Sequence, residues 1–118
     1  MVTIKKIVGG RKPKKPDHAV IILFQYGKSD LQPILDFKDK LERTINEARV
    51  GRLDGIDIAE GGGDGYLYMY GPDADRLFSV IRHILESSAF MNGATVRLRY
   101  GPPEVGVKEK EVKIGLIL

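Results

Sequence analysis

An apolar run that closes on Tyr-Gly and leads into an acid-started helical pattern occurs twice in this chain. No other feature restricts its fold as much. The first run, Ala19 to Tyr26 (AVIILFQY), ends at Gly27; the second, Tyr66 to Tyr70 (YLYMY), ends at Gly71, with the two Tyr-Gly pairs 44 residues apart. After the first run, Ile34, Phe37, Leu41, Ile45 and Ala48 recur at three- and four-residue steps and predict one apolar helix stripe. Ser29 or Asp30 is placed to cap that helix, and Pro33 stands in its first turn, where a missing N–H costs nothing. Asp36–Lys40 and Asp39–Arg43 are i,i+4 pairs on its wet side, and it stops near Gly51. After the second run Asp73 is the expected cap, and Leu77, Val80, Ile81, Ile84 and Leu85 fit the i, i+3, i+4, i+7, i+8 template.

The two runs differ in what they predict. Ala19 to Tyr26 is apolar at nearly every position, which suits a central strand buried on both faces. Tyr66 to Tyr70 alternates strictly with period two, as a half-exposed strand does. Residues 55–60 (GIDIAE) alternate weakly as a strand before it, joined through the Gly61–Gly65 loop as a hairpin, and residues 95–100 (TVRLRY) alternate after the Asn92-Gly93 turn. Short edge strands are expected at Val2–Val8 and, densely charged, at 105–114. The order is βαββαβ. It resembles the split βαβ, ferredoxin-like architecture, an α+β fold with a four-stranded antiparallel sheet and two helices on one face. That resemblance implies the strand order 4-1-3-2. In overall look the chain is similar to small uncharacterised bacterial α+β proteins of this kind, and no activity comes with the resemblance.

With 118 residues the chain suits one domain, and without cysteine it has no disulfide framework, thiolate metal site or cysteine nucleophile. The formal charge of +3 divides unevenly. Of 19 basic residues, six (Lys5, Lys6, Arg11, Lys12, Lys14, Lys15) fall in the acid-free segment 1–16; the remaining 13 face 16 acids, a net of −3. Residues 1–16 therefore read as a basic arm or linker, its Gly-Gly-Arg-Lys-Pro-Lys-Lys-Pro unable to propagate a helix, and 17–118 as the folded domain. Between Leu53 and Asp75 the acids Asp54, Asp57, Glu60, Asp64, Asp73 and Asp75 meet no Lys or Arg. Such a patch steers a basic partner and repels phosphate, although acids also collect in turns and helix starts for local reasons. No apolar h-region and no run near the roughly 18 apolar residues of a membrane span appears, so the expected location is cytoplasmic and no membrane partner is expected.

A core accepts Leu67 and Met69 without hydrogen-bond partners, whereas buried tyrosine hydroxyls require them. Tyr66, Tyr68 and Tyr70 are therefore expected on the face the helices leave open, joined there by Arg97 and Arg99, with Val96, Leu98 and Tyr100 turned inward. The segment Gly65-Tyr66-Leu67-Tyr68-Met69-Tyr70 resembles the main signature of the RNA-recognition motif in its glycine and spaced aromatics, which implies single-stranded RNA stacked on the tyrosines. It departs from that signature at Asp64, where a basic residue is expected, and at Leu67, where a small one is. RNA binding would then rest on the basic arm.

Catalytic signals are sparse. His18 and His83 read as solvated histidines, and no Ser-His-Asp set suggests itself. The Gly61–Gly65 loop leads into a strand and not into the helix N-terminus a phosphate cradle needs. The acids at 54, 57, 60 and 64 do not follow a calcium-loop spacing. The loop Gly27-Lys28-Ser29-Asp30 departs from the arginine-bearing loop of acylphosphatases. The expectation is a module without catalytic residues, metal or cofactor. It would bind a protein, or pair with itself as a homodimer, through Tyr66, Tyr68, Tyr70, Arg97 and Arg99. Neutralising a basic partner through Asp54, Asp57, Glu60 and Asp64, in the manner of an immunity protein, is one concrete version. RNA binding, and a small enzyme built from carboxylates and tyrosines, are the alternatives.

Overall fold

The computed structural model describes residues 17–115 and the backbone of residues 2–5. In chain order it contains β1 (Val2–Lys5), β2 (His18–Gln25), α1 (Gln32–Ala48), β3 (Arg52–Ile58), β4 (Asp64–Gly71), α2 (Ala74–Glu86), a 3-10 turn at Ala89–Met91, β5 (Thr95–Arg99) and β6 (Glu109–Lys113). The protein is α+β, and its strands form one antiparallel sheet in the order β1-β3-β4-β2-β5-β6. The expected four strands stand in the expected relative order, but the sheet is wider than four because β6 pairs along β5 and β1 along β3. The terminal strands are therefore continuous with the sheet.

Alternation explains the core. Val20, Ile22 and Phe24 of β2, Leu53, Ile56 and Ile58 of β3, Leu67 and Met69 of β4, and Val96 and Leu98 of β5 are all buried toward the helices. They meet Ile34, Phe37, Leu41 and Ile45 of α1 and Leu77, Phe78, Ile81 and Leu85 of α2 in one cluster. Burial of each such side chain stabilises the fold by about 1.5–3 kcal/mol, so this contact fixes which face the helices cover.

Several boundaries differ from expectation for local reasons. Asp73 caps α2 through its carboxylate, which accepts from the Arg76 N–H at 3.1 Å. At α1 the cap position is Leu31, not Ser29 or Asp30, and no side chain bonds there. Tyr26 donates its hydroxyl to the Asp30 carbonyl, and the Asp30 carboxylate accepts from the Gln32 N–H at 3.0 Å, one residue ahead of the helix. Asp36 accepts from Gln32 at 2.7 Å and Asp39 pairs with Lys38 at 3.2 Å, so these acids take neighbours other than Lys40 and Arg43. Strand 105–114 shrinks to Glu109–Lys113, because Gly101-Pro102-Pro103 and the turn at Val105-Gly106 occupy its expected start.

The loop after β2 is stitched to the β3–β4 turn. The Tyr26 and Gly27 N–H groups donate to the carbonyls of Gly63 and Gly62 at 3.1 and 2.6 Å. This approach is so close that a Cβ on Gly62, which sits at φ +81°, would fall 1.6 Å from the Lys28 carbonyl oxygen.

Candidate functional site

Strand register builds the open face row by row. One row runs Arg52, Tyr70, Ala19, Arg99, Glu109; the next Gly55, Tyr68, Ile21, Arg97, Glu111; the third Asp57, Tyr66, Leu23, Thr95, Lys113. Each is read across β3, β4, β2, β5 and β6. Tyr66, Tyr68 and Tyr70 lie on this face, each half-buried, while Leu67 and Met69 are buried beneath. The Tyr66 and Tyr68 rings stack, with centroids 6.0 Å apart and an interplanar angle of 13°.

β2 corrects the reading of its sequence. It is central and Ala19 is covered on the open side too, but Ile21 is half-buried and Leu23 is 37% exposed there. A central strand that faces water on one side ordinarily alternates with polar residues there. This one puts Ala19, Ile21 and Leu23 on that side, which the continuous apolar run concealed. These residues and Arg52 belong to the face and were not singled out by the sequence; pairing register is the signal that finds them.

The cations of the face are already engaged. Arg97 is exposed and pairs with Glu109 at 3.7 Å and Glu111 at 3.3 Å. Arg99 donates from Nε to the Gly101 carbonyl at 2.7 Å. Arg52 pairs with Asp17 at 2.8 Å and lies over the Tyr70 ring at 5.3 Å. Burial, with the Asp57 carboxylate as acceptor and neighbouring charge, pushes the Tyr68 hydroxyl up to about 12. Burial and the Asp54 carboxylate raise Tyr70, against the pull of Arg99 and Arg52. Asp57 keeps one oddity: its Oδ1 is buried and takes no hydrogen bond. A buried oxygen without a donor carries a desolvation cost of about 1–3 kcal/mol.

The acidic residues spread out along the β3–β4 hairpin. Asp57 is on the open face, Asp54 sits at the irregularity between Leu53 and Gly55, and Glu60 and Asp64 are exposed at the turn. At about 3.3 Å per strand residue, Asp54 and Glu60 stand roughly 20 Å apart. Among the described residues no three His, Cys, Asp or Glu side chains are grouped to hold a metal ion, and no helix is long and apolar enough to cross a membrane.

The two histidines divide. His83 is exposed on α2, as expected. His18 is half-buried and structural instead: its Nδ1 accepts from the Ala74 N–H at 3.1 Å at the start of α2, and its ring meets Tyr100 edge-on at 5.8 Å. Tyr100 is half-buried against the core, with its hydroxyl bonded to Asp75 at 2.7 Å. Of the basic arm, Lys6, Arg11, Lys12, Lys14 and Lys15 lie outside the described residues, and Lys5 enters only through the backbone of β1. Compared with known proteins, the chain matches no family model, no curated protein and no solved structure.

Proposed function

We propose that this chain is a ferredoxin-like, non-enzymatic binding module that takes a protein surface on its open sheet face, in a cytoplasmic setting. The order of β2 to β5 and the helices on one face support the fold, and with it the similarity to small bacterial α+β proteins. One observation carries the function: β2 places half-buried Ile21 and exposed Leu23 beside the tyrosines of β4 on the face the helices leave bare. Contiguous apolar and aromatic surface of this kind marks an interaction site. The acids of the β3–β4 hairpin form one charged rim of it, which favours a partner with basic groups at that edge.

The RNA reading draws less support. The arginines that would meet phosphates are held by Glu109, Glu111, Asp17 and a carbonyl, and Asp57 and Asp64 lie along the tyrosine stack. In an enzyme built on Tyr68 and Asp57, a hydroxyl pushed up to about 12 would keep its proton near neutral pH and could not serve as a base.

Immobilised chain tests the reading against its Leu23→Arg variant. Leu23 faces solvent, so the variant should keep its thermal midpoint. The parent should retain a stoichiometric protein, whether a second copy or another chain, that Leu23→Arg loses. Retention by both, or by neither, overturns the reading, as does tight low-salt binding of single-stranded RNA that Tyr66→Ala with Tyr68→Ala abolishes.

A further inference from the structure

We propose that the occupant of the open face is a second copy of this chain, related by a two-fold axis running along the strands above the seam between β4 and β2. The inference rests on the binding reading above and names its partner. In the order β1-β3-β4-β2-β5-β6 that seam is the centre of the sheet. Rotation about it lays β4 on β2, β3 on β5 and β1 on β6, and leaves each row facing itself in reverse. An interface of this isologous kind must be self-complementary, and this face is.

The middle of each row pairs aromatic with aliphatic groups. Tyr70, Tyr68 and Tyr66 share rows with Ala19, Ile21 and Leu23, so in the dimer the rings of one copy lie on the aliphatic strip of the other, twice over. Ala19 is covered by its neighbours in the row, so Tyr70 of the other copy would meet the residues that flank it.

The flanks are opposite in charge. On one side of the seam β3 carries Asp54 and Asp57 beside Arg52; on the other, β5 carries Arg97 and Arg99 beside Glu109 and Glu111 of β6. The rotation lays β3 on β5 on both sides, which brings Arg97 nearest to Asp57 across rows. In the middle row Arg97 arrives over Gly55, where no side chain blocks it. Asp57 is two residues along β3, roughly 7 Å away and within an extended arginine's reach. The guanidinium would meet the Asp57 carboxylate from the open side, although Oδ1 itself is closed to solvent in the single chain. Arg97 gives up little, because its present pairs with Glu109 and Glu111 are solvent-exposed and so weak. Glu111, in the same row, comes over β1 at the register position of Lys5. Among the described residues Arg52 over Arg99 is the one like-charge meeting, and Asp17 and Asp54 beside it offset it.

Area permits the assembly. The three rows, about 6.6 Å apart along strands spaced about 4.8 Å, give roughly 500 Å² in flat projection. Side-chain relief brings this toward the roughly 800 Å² per partner of a standard interface.

Light scattering and sedimentation of the full chain from about 1 to about 100 μM provide the test. The parent should dimerise. Arg97→Glu and Asp57→Arg should each weaken self-association about tenfold or more, by setting like charges across both flanks. Mixing the two variants should restore dimers, all of them heterodimers, because both flanks then pair opposite charges; the double variant Arg97→Glu/Asp57→Arg should dimerise alone. Rescue requires folded chains and so excludes trivial misfolding, and Asp54→Arg replaces Asp57→Arg if the latter does not fold. A parent dimer indifferent to these reversals, or no rescue on mixing, overturns the two-fold arrangement while leaving the binding reading standing. A parent that stays monomeric at every concentration overturns the second copy as occupant. If that monomer also retains no Leu23-dependent protein, the binding reading falls with it.

Discussion

Tyr68 concentrates the chemistry of the open face in one side chain. Its ring stacks on Tyr66, and its hydroxyl is pushed up to about 12 by burial and by Asp57. Tyr100 reaches about 12 by another route, its hydrogen bond to Asp75. The sign of the resulting pH effect follows from the direction of both shifts. Below pH 10 folded and unfolded chains hold the same tyrosine protons. Between about pH 10 and about pH 12 the unfolded chain releases protons that the folded chain keeps, so stability falls as pH rises. Urea midpoints across that window should drop, less steeply in Tyr68→Phe, and tyrosinate absorbance should show a late-ionising class; all tyrosines ionising together near 10 would contradict this. A second residue-scale contrast lies in the β3–β4 turn. Gly61 and Gly62 have nearly the same positive φ, but a Cβ meets nothing at Gly61 and the Lys28 carbonyl at Gly62. Urea denaturation should show Gly61→Ala costing about 1 kcal/mol and Gly62→Ala at least twice that. The sequence displays a run of glycines there; which one the neighbouring loop presses on depends on a contact between segments more than 30 residues apart, and no local pattern encodes it.

At the scale of elements, strict alternation was decisive and continuous apolarity was not. YLYMY has only one reading that spares tyrosine hydroxyls from burial, so β4 and its outward tyrosines were legible. AVIILFQY looks the same from both sides. Its position in the middle of the sheet could be read, but not that its odd-numbered residues face away from the helices. The structure turns that ambiguity into a measurable contrast. Ile22→Ala, which empties a fully buried site against the helices, should cost about 2–5 kcal/mol. Ile21→Ala, one residue away on the bare face, should cost less than about 1 kcal/mol in the dilute monomer. Equal losses by urea denaturation would mean that β2 is covered on both sides within one chain. Helix caps divide similarly. Asp73 acts alone, as its position before an apolar helix stripe predicts; at α1 the Tyr26 hydroxyl, just past β2, bonds the Asp30 carbonyl four residues on, and the cap position falls at Leu31 and not at Ser29 or Asp30.

For the molecule as a whole, the doubled Tyr-Gly punctuation marks the two strands that lie side by side at the centre of the sheet. What remained hidden was the lateral arrangement: that Asp57 and Arg97 stand on opposite sides of one seam is a property of strand order and register together. That strand order also governs how the protein comes into being. β2 comes early in the chain, yet both its neighbours come later: Ile21 pairs with Tyr68, 47 positions on, and with Arg97, 76 positions on. During synthesis the most apolar segment of the chain must wait, unpaired on both edges, until β4 has been made, and on one edge until β5 follows. Pairings between such distant segments close slowly, and an unpaired apolar strand is the species that aggregates. The strand that holds the finished sheet together is therefore also the nascent chain's most vulnerable point.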